Sequence, residues 1–315
     1  MTVESPRGMT ERVKGLPPYL FVELDRARRA LEAEGKDVIA LGVGDPDMPT
    51  PPHILRRLAA AADEPANHRY SVTEGLPALR EAIARWYHRR FDVTLDPSTE
   101  ILPLLGSKEG IGHLPLALAD PGDVVLLPDP GYPPYRSGAV LAGAEAVPMP
   151  LLEENGFFPD LGAISQKAAR RAALMFLNYP NNPTAATASA EQLQEAVTLA
   201  QDFGFVVAHD AAYSEISFDG HRPLSFLQLP DATSVGIEFH SLSKTYRMTG
   251  WRIGWVCGNA AAIAALARVK SHLDSGIFQP IQWAGVEALD GDQAPLHQAV
   301  AAYQTRRDLL IEGLA

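Results

Sequence analysis

The chain carries a single cysteine, Cys257, among its 315 residues. One thiol can neither close an intramolecular disulfide nor build a cysteine-rich metal site. Its position in the apolar run Ile253 to Cys257 reads as a packed core thiol rather than a reactive one. Long apolar runs are also lacking. No stretch reaches the roughly 18 uninterrupted apolar residues that a membrane-spanning helix needs. The opening MTVESPRGMTERVKG has no apolar segment of the kind a secretory signal contains. The cytoplasm is therefore the expected compartment, and no membrane partner is expected. Basic clusters are equally scarce. Lys and Arg number 27 against 38 Asp and Glu, for a net charge of -11, and no basic run could track a phosphate backbone. Nucleic acid is not an expected partner.

What the chain does have is apolar surface, 46% of its residues, enough for a large core beside a smaller unit. After a polar arm through Pro18, helical spacing runs from Phe21 to Glu34 and stops at Gly35, with Val38 to Val43 following as a short apolar strand. From His53 onward, apolar runs alternate with helical patterns. Val124 to Leu127, Leu174 to Leu177, Phe205 to Ala208, Val235 to Phe239 and Gly254 to Cys257 lack the polar alternation of a half-exposed strand. Such runs suit a parallel sheet covered on both faces. Between two of them, Ser189 caps a helix, Gln192 completes a capping box, and Leu193, Ala196, Val197 and Ala200 form the apolar stripe before Gly204. The repeating unit is strand, helix, strand, so the class is α/β. No short-period repeat or low-complexity tract interrupts it. The 26 prolines gather in loops such as MPTPP, PDPGYPP and NYPNNPT.

Four loops at strand ends carry unusual polar residues, where open α/β sheets place ligands. Leu105-Gly106-Ser107-Lys108-Glu109-Gly110 enters a helix, whose free N–H groups and dipole, with the Ser107 hydroxyl, make an anion site; a glycine turn with an ordinary cap reads the same way. Asn178-Tyr179-Pro180-Asn181-Asn182-Pro183-Thr184 ends one strand, and Asn before Pro is also a common turn former. His209-Asp210-Ala211-Ala212-Tyr213 ends the next. A carboxylate emerging from an apolar strand is costly unless it meets a cation or a donor. The fourth loop, SLSKTYRMTGWRIG from Ser241 to Gly254, sets Lys244 just past a buried strand and Arg252 ahead of another. A desolvated lysine there becomes a nucleophile, and the arginine can hold a dianion through two hydrogen bonds. Alone, such a Lys and Arg would be solvated surface charge. Together the loops ask for a phosphate, an amine-reactive carbonyl, a cation for a buried carboxylate and a phenolate oxygen, all of which pyridoxal phosphate supplies.

In this order, GSKEG, PGYPPY, NYPNNPT, DAAYSE and SLSKTYRMTGWRIG resemble the class I/II aminotransferases, from Val43 to Arg307. The resemblance implies a fold-type-I α/β transferase: a mainly parallel, seven-stranded-type sheet between helices, with a small α+β domain that ends incomplete at the C-terminus. The implied division is an arm at 1–18, small-domain residues 19–52, a large cofactor domain at 53–290, and the start of the C-terminal small domain at 291–315. Residue by residue, Lys244 would carry pyridoxal 5'-phosphate as a Schiff base and act as base, while Asp210 would pair with the ring nitrogen. Asn182 and Tyr213 would bind the ring oxygen and Tyr132 would stack on the ring. Ser107, the Lys108 amide, Ser241 and Arg252 would bind the phosphate. Tyr70, in HRYSVTEG, would reach the neighbouring subunit's phosphate, which implies a homodimer with shared sites. Val43, Gly44 and Asn182 would line the substrate side. The implied reaction moves an amino group between an amino acid and a 2-oxo acid by a ping-pong route.

Two departures accompany the resemblance. Ala185 follows NNPT where the family usually has Gly, which bears on loop geometry. Tyr303 to Leu314 resembles the first helix of the C-terminal small domain, and the arginine that binds the substrate α-carboxylate in the family has no counterpart in these 315 residues. The stretches SLSKTYRMTGWRIGW and SHLDSGIFQPIQ are most similar to the LL-diaminopimelate aminotransferase group. Aspartate, alanine or aromatic aminotransferases, a C-S lyase or synthase, and a cofactor-binding chain with little activity stay open. A nicotinamide dehydrogenase lacks its GxGxxG in the first βα turn.

Overall fold

The computed structural model describes residues 8–315, so the first part of the expected 1–18 arm lies outside the described residues. The remainder of the arm holds a short helix, Glu11–Lys14, capped by Thr10. The centre of the molecule is one sheet of seven strands: β1 (Ile101–Leu104), β2 (Val124–Asp129), β3 (Glu145–Pro150), β4 (Ala172–Asn178), β5 (Val206–Asp210), β6 (Gly236–Ser241) and β7 (Gly254–Gly258). They lie in the order β1-β7-β6-β5-β4-β2-β3. Six point one way, and β7 runs against both its neighbours, β6 and β1.

Period-two alternation divides each strand between two cores. Val125, Leu127, Leu174, Phe176, Ala208 and Phe239 face one side, under the helices Ser107–Leu118, Pro133–Ala142 and Ala260–Leu273. Leu126, Met175, Leu177 and Val207 face the other, under Pro77–Phe91, Ala190–Phe203 and Gln279–Asp290. The Ala190–Phe203 helix begins on the Ser189/Gln192 capping box and ends at Gly204 with φ 78°. The five strands expected from His53 onward all form. The two that the runs did not reveal, β1 and β3, are the two edges of the sheet and contain Pro103, Pro148 and Pro150. A proline cannot donate to a ladder, so an edge suits such strands best, and the one proline of the interior β2, Pro128, stands next to its last residue.

One expected strand does not form. Residues Val38 to Val43 form no strand, bend at Gly42 and Val43 and have no ladder partners, and Ile39 and Leu41 are 82% and 77% exposed. Apolar residues of strand length need a neighbouring strand to take their N–H and C=O groups, and among the described residues none lies beside them. The expected helix at Tyr303 to Leu314 is the second half of a longer one, Ala294–Leu314.

Candidate active site

Because β1, β4, β5 and β6 run the same way, their carboxyl ends share one edge of the sheet, and the reversed β7 begins at that same edge. The four polar loops therefore converge. Asn178 ends β4, Asp210 ends β5, Ser241 ends β6, Gly106 and Ser107 follow β1, and Arg252 precedes β7. They surround a cavity of about 330 Å³, lined also by Val43, Gly44, Lys108, Tyr132, Asn182, Tyr213 and Lys244. Of the sequence-predicted site residues, only Tyr70 is elsewhere, 96% exposed on the surface.

One end of the cavity is built for an anion. Gly106, at φ 81°, turns the chain into the helix Ser107–Leu118, whose first two residues line the cavity at the end where a helix has unpaired N–H groups. A Cβ on Gly106 would collide with the Arg252 guanidinium, and one on Gly254 would come within 2.9 Å of the Ser107 nitrogen. Both glycines thus keep the cradle open. Arg252 takes the left-handed conformation, φ 57°, and its guanidinium donates to the Thr249 carbonyl at 2.8 Å. The Ser241 Oγ accepts from the Ser243 N–H at 3.2 Å, which leaves its own O–H free to donate.

At the other end lie a carboxylate and an amine. Asp210 is 5% exposed; its Oδ2 accepts from Tyr135 Oη at 2.9 Å and its Oδ1 from the Ala212 N–H at 3.3 Å. Burial raises its pKa above the ordinary aspartate range, against the lowering effect of those donors. Lys244 lies in the short helix Leu242–Thr245, and its Nζ donates to the Gly44 carbonyl at 2.8 Å. Burial lowers its pKa; Asp45 opposes this and Arg252 adds to it. Burial likewise raises the phenols of Tyr132 and Tyr213, which stay neutral donors. The Asn178 side chain ties the two loops together: its Nδ2 donates to the Asp210 carbonyl at 2.7 Å, and its Oδ1 accepts from the Asn182 N–H at 2.7 Å.

Sequence reasoning missed Phe21, Asp45, Asn178 and Thr249 on the cavity wall and Tyr135 behind Asp210. Tyr135 had a signal: it follows Tyr132 by three residues in PGYPPY, one helical turn on.

A mainly parallel sheet whose strand ends gather a glycine-opened helix start, a partly desolvated amine and a buried carboxylate defines an α/β protein with a site suited to chemistry on amines or carbonyls. The sequence profile of the aminotransferase class I and II family matches residues 36–315, and the chain belongs to that family. It is 55% identical over 302 residues to the LL-diaminopimelate aminotransferase of Moorella thermoacetica, covering 96% of this chain and 77% of that protein. The LL-diaminopimelate aminotransferase of Desulforudis audaxviator is 55% identical over 304 residues, 96% of this chain and 78% of the relative. Among solved structures, substrate-bound BacF from Bacillus subtilis superposes with a TM-score of 0.91 at 41% identity, covering 95% of this chain and 76% of the other. The N-succinyldiaminopimelate aminotransferase of Mycobacterium tuberculosis gives 0.90 at 32% identity, with 98% and 79% covered. The chain is an aminotransferase acting on small-molecule amino acids and 2-oxo acids, in a family whose members use pyridoxal 5'-phosphate. Amino-group transfer is thereby favoured over the lyase and synthase readings. Among the described residues no helix is long and apolar enough to cross a membrane.

Proposed function

We propose that the cavity binds pyridoxal 5'-phosphate and that the chain uses it to move an amino group between LL-diaminopimelate, or a close analogue, and a 2-oxo acid such as 2-oxoglutarate. The donor set fits the cofactor end to end. The glycine-opened helix start at Ser107 and Lys108, with Ser241 and Arg252, suits a phosphate dianion. Lys244 suits its carbonyl, Asn182 and Tyr213 its ring oxygen, Tyr132 its ring face, and Asp210 its ring nitrogen. When bound, the cofactor supplies a protonated ring that withdraws electrons from the substrate Cα.

The rest belongs to the chain. Asp210, buried and short of donors, gains most when a cationic N–H arrives, so it keeps that proton on the ring nitrogen. Lys244, its amine partly desolvated, loses its proton more readily than an ordinary lysine and can take the Cα proton and return it at the cofactor's C4'. Val43 and Gly44 form the substrate side of the cavity, with Asn182. The choice of substrate rests on the names of the relatives at 55% identity. A homodimer with shared sites, in the cytoplasm, completes the reading; the outward-facing Tyr70 is free to enter a partner's cradle.

The observation that carries this reading is Lys244 and Asp210 in one cavity with the helix-start cradle. Borohydride reduction of the loaded protein followed by peptide mapping should label Lys244; label on another lysine would overturn it. Half-reactions with LL-diaminopimelate, aspartate, alanine and phenylalanine then rank the donors. Mixing Tyr70→Phe with Lys244→Ala chains should restore activity through hybrid dimers, and no recovery would contradict shared sites.

A further inference from the structure

Beneath the anion cradle lies an ion pair that the reaction does not touch. Lys270, on the helix Ala260–Leu273, is 0% exposed, and its Nζ donates to Glu109 Oε1 at 2.6 Å. Glu109 stands in the first turn of Ser107–Leu118, and its Oε2 accepts from the Leu105 backbone N–H at 2.5 Å. Leu105 links the end of β1 to Gly106, so this carboxylate folds the turn at 105–107 back onto the helix that follows it. His113 and Asp274 complete the surroundings, with Nδ1 and Oδ2 3.3 Å apart.

The choice of residues is informative. Burying an ion pair often gives no more stability than an apolar pair of the same size. Glutamate at this position does what leucine cannot, which is to accept the Leu105 N–H. Its negative charge, in the first turn of the helix that faces the phosphate, would by itself repel a dianion. A buried lysine cancels that charge where solvent cannot.

We propose that Glu109 is a positioning residue that holds the turn at 105–107 so that the Ser107 and Lys108 amides face the cofactor phosphate, with Lys270 neutralising it from below. The proposal rests on the cavity being a pyridoxal 5'-phosphate site. The preference of the cofactor-free chain for pyridoxal 5'-phosphate over pyridoxal, the ratio of their dissociation constants, reads the phosphate cradle apart from activity. In Glu109→Leu/Lys270→Met the pair is replaced by apolar groups and the Leu105 N–H has no acceptor. The preference should fall roughly tenfold, and the 31P resonance of the bound phosphate should move. Glu109→Gln/Lys270→Met removes the charges but keeps an acceptor, and should stay within roughly threefold of native. A native preference in the Leu/Met variant, or an equal loss in the Gln/Met variant, would overturn the proposal. The native chain offers a check that needs no variant: the Leu105 amide proton should resonate far downfield and exchange slowly, and rapid exchange would refute the contact. A native chain with no preference for the phosphorylated cofactor would instead remove the cradle reading itself, and the brace with it.

Discussion

Two buried carboxylates on neighbouring strands are treated in opposite ways. Glu238 on β6 lies opposite His209 on β5, one residue before Asp210, so alternation sends the two acids to opposite faces of the sheet. Glu238 is 0% exposed and accepts five hydrogen bonds: Tyr87 Oη at 2.9 Å, Ser225 Oγ at 2.7 Å, His240 Nε2 at 3.0 Å, His209 Nδ1 at 2.8 Å and the Phe226 N–H at 2.7 Å. Burial would raise its pKa, but the two histidines outweigh burial and hold the carboxyl below the ordinary glutamate range. An ionised carboxylate only accepts, so Tyr87, Ser225 and both ring nitrogens must donate. Asp210 has only two donors, one of them at 3.3 Å, and burial wins. The contrast separates structure from function. Glu238 is satisfied by the fold and locks two strands to the helix Pro77–Phe91. Asp210 is left in need of a cation, and the cavity is where that cation arrives.

Breaking each acid should therefore break different things. Asp210→Asn should slow the amino-acid half-reaction about 1000-fold, seen in stopped-flow spectra, while the cofactor-free chain gains about 1 kcal/mol in urea unfolding. Glu238→Ala, which strands two histidines, a tyrosine and a serine in the core, should cost about 3 to 5 kcal/mol in the same unfolding experiment. If the half-reaction of the folded Glu238 variant fell as far as that of the Asp210 variant, the division of labour would fail.

Acid sharpens the comparison. Glu238 has a folded pKa below its unfolded value, so its stability contribution is present above about pH 4.3 and is lost as pH falls. Asp210 is raised in the folded chain, so it favours folding when protonated and its contribution declines as pH climbs past about 3.9. Stability-versus-pH curves of Glu238→Gln and Asp210→Asn should depart from native in opposite directions between about pH 3 and 6. Parallel departures would contradict the assignment. Lys244 should titrate below the usual lysine range in competitive acetylation of the cofactor-free chain, and lower still in Asp45→Asn, because Asp45 supports its charged form. A normal titration would remove the desolvation argument. The smallest effect concerns Ala185, which holds φ 61° in the loop after Asn182. Ala185→Gly should raise stability by about 1 kcal/mol, as a left-handed position relaxes, and a loss would mean that the loop needs the methyl group.

Legibility in the sequence followed the range of the interaction. The central strands were readable because burial on both faces leaves unbroken apolar runs, and β1 and β3 were hidden by prolines that interrupt their short apolar runs and are best tolerated at an edge. Asp210 was readable because a carboxylate after an apolar strand is anomalous, and the convergence of the four loops follows from parallel strands ending together. Long-range pairings left no local trace. Tyr135 to Asp210, Glu109 to Lys270 and Tyr87 to Glu238 join residues 75, 161 and 151 positions apart. Val38 to Val43 failed as a strand because apolarity specifies a tendency to pair and supplies no partner.

The most direct test of the central claim is 13C NMR of the side-chain carboxyls of Asp210 and Glu238, assigned by mutation, at about pH 5, just above the ordinary carboxylate range, with and without pyridoxal 5'-phosphate. Asp210 should be more protonated than an ordinary aspartate in the cofactor-free chain and become more ionised when the cofactor binds, while Glu238 stays ionised throughout. An Asp210 resonance no more protonated beforehand than that of an ordinary aspartate, or unmoved by the cofactor, would contradict the account.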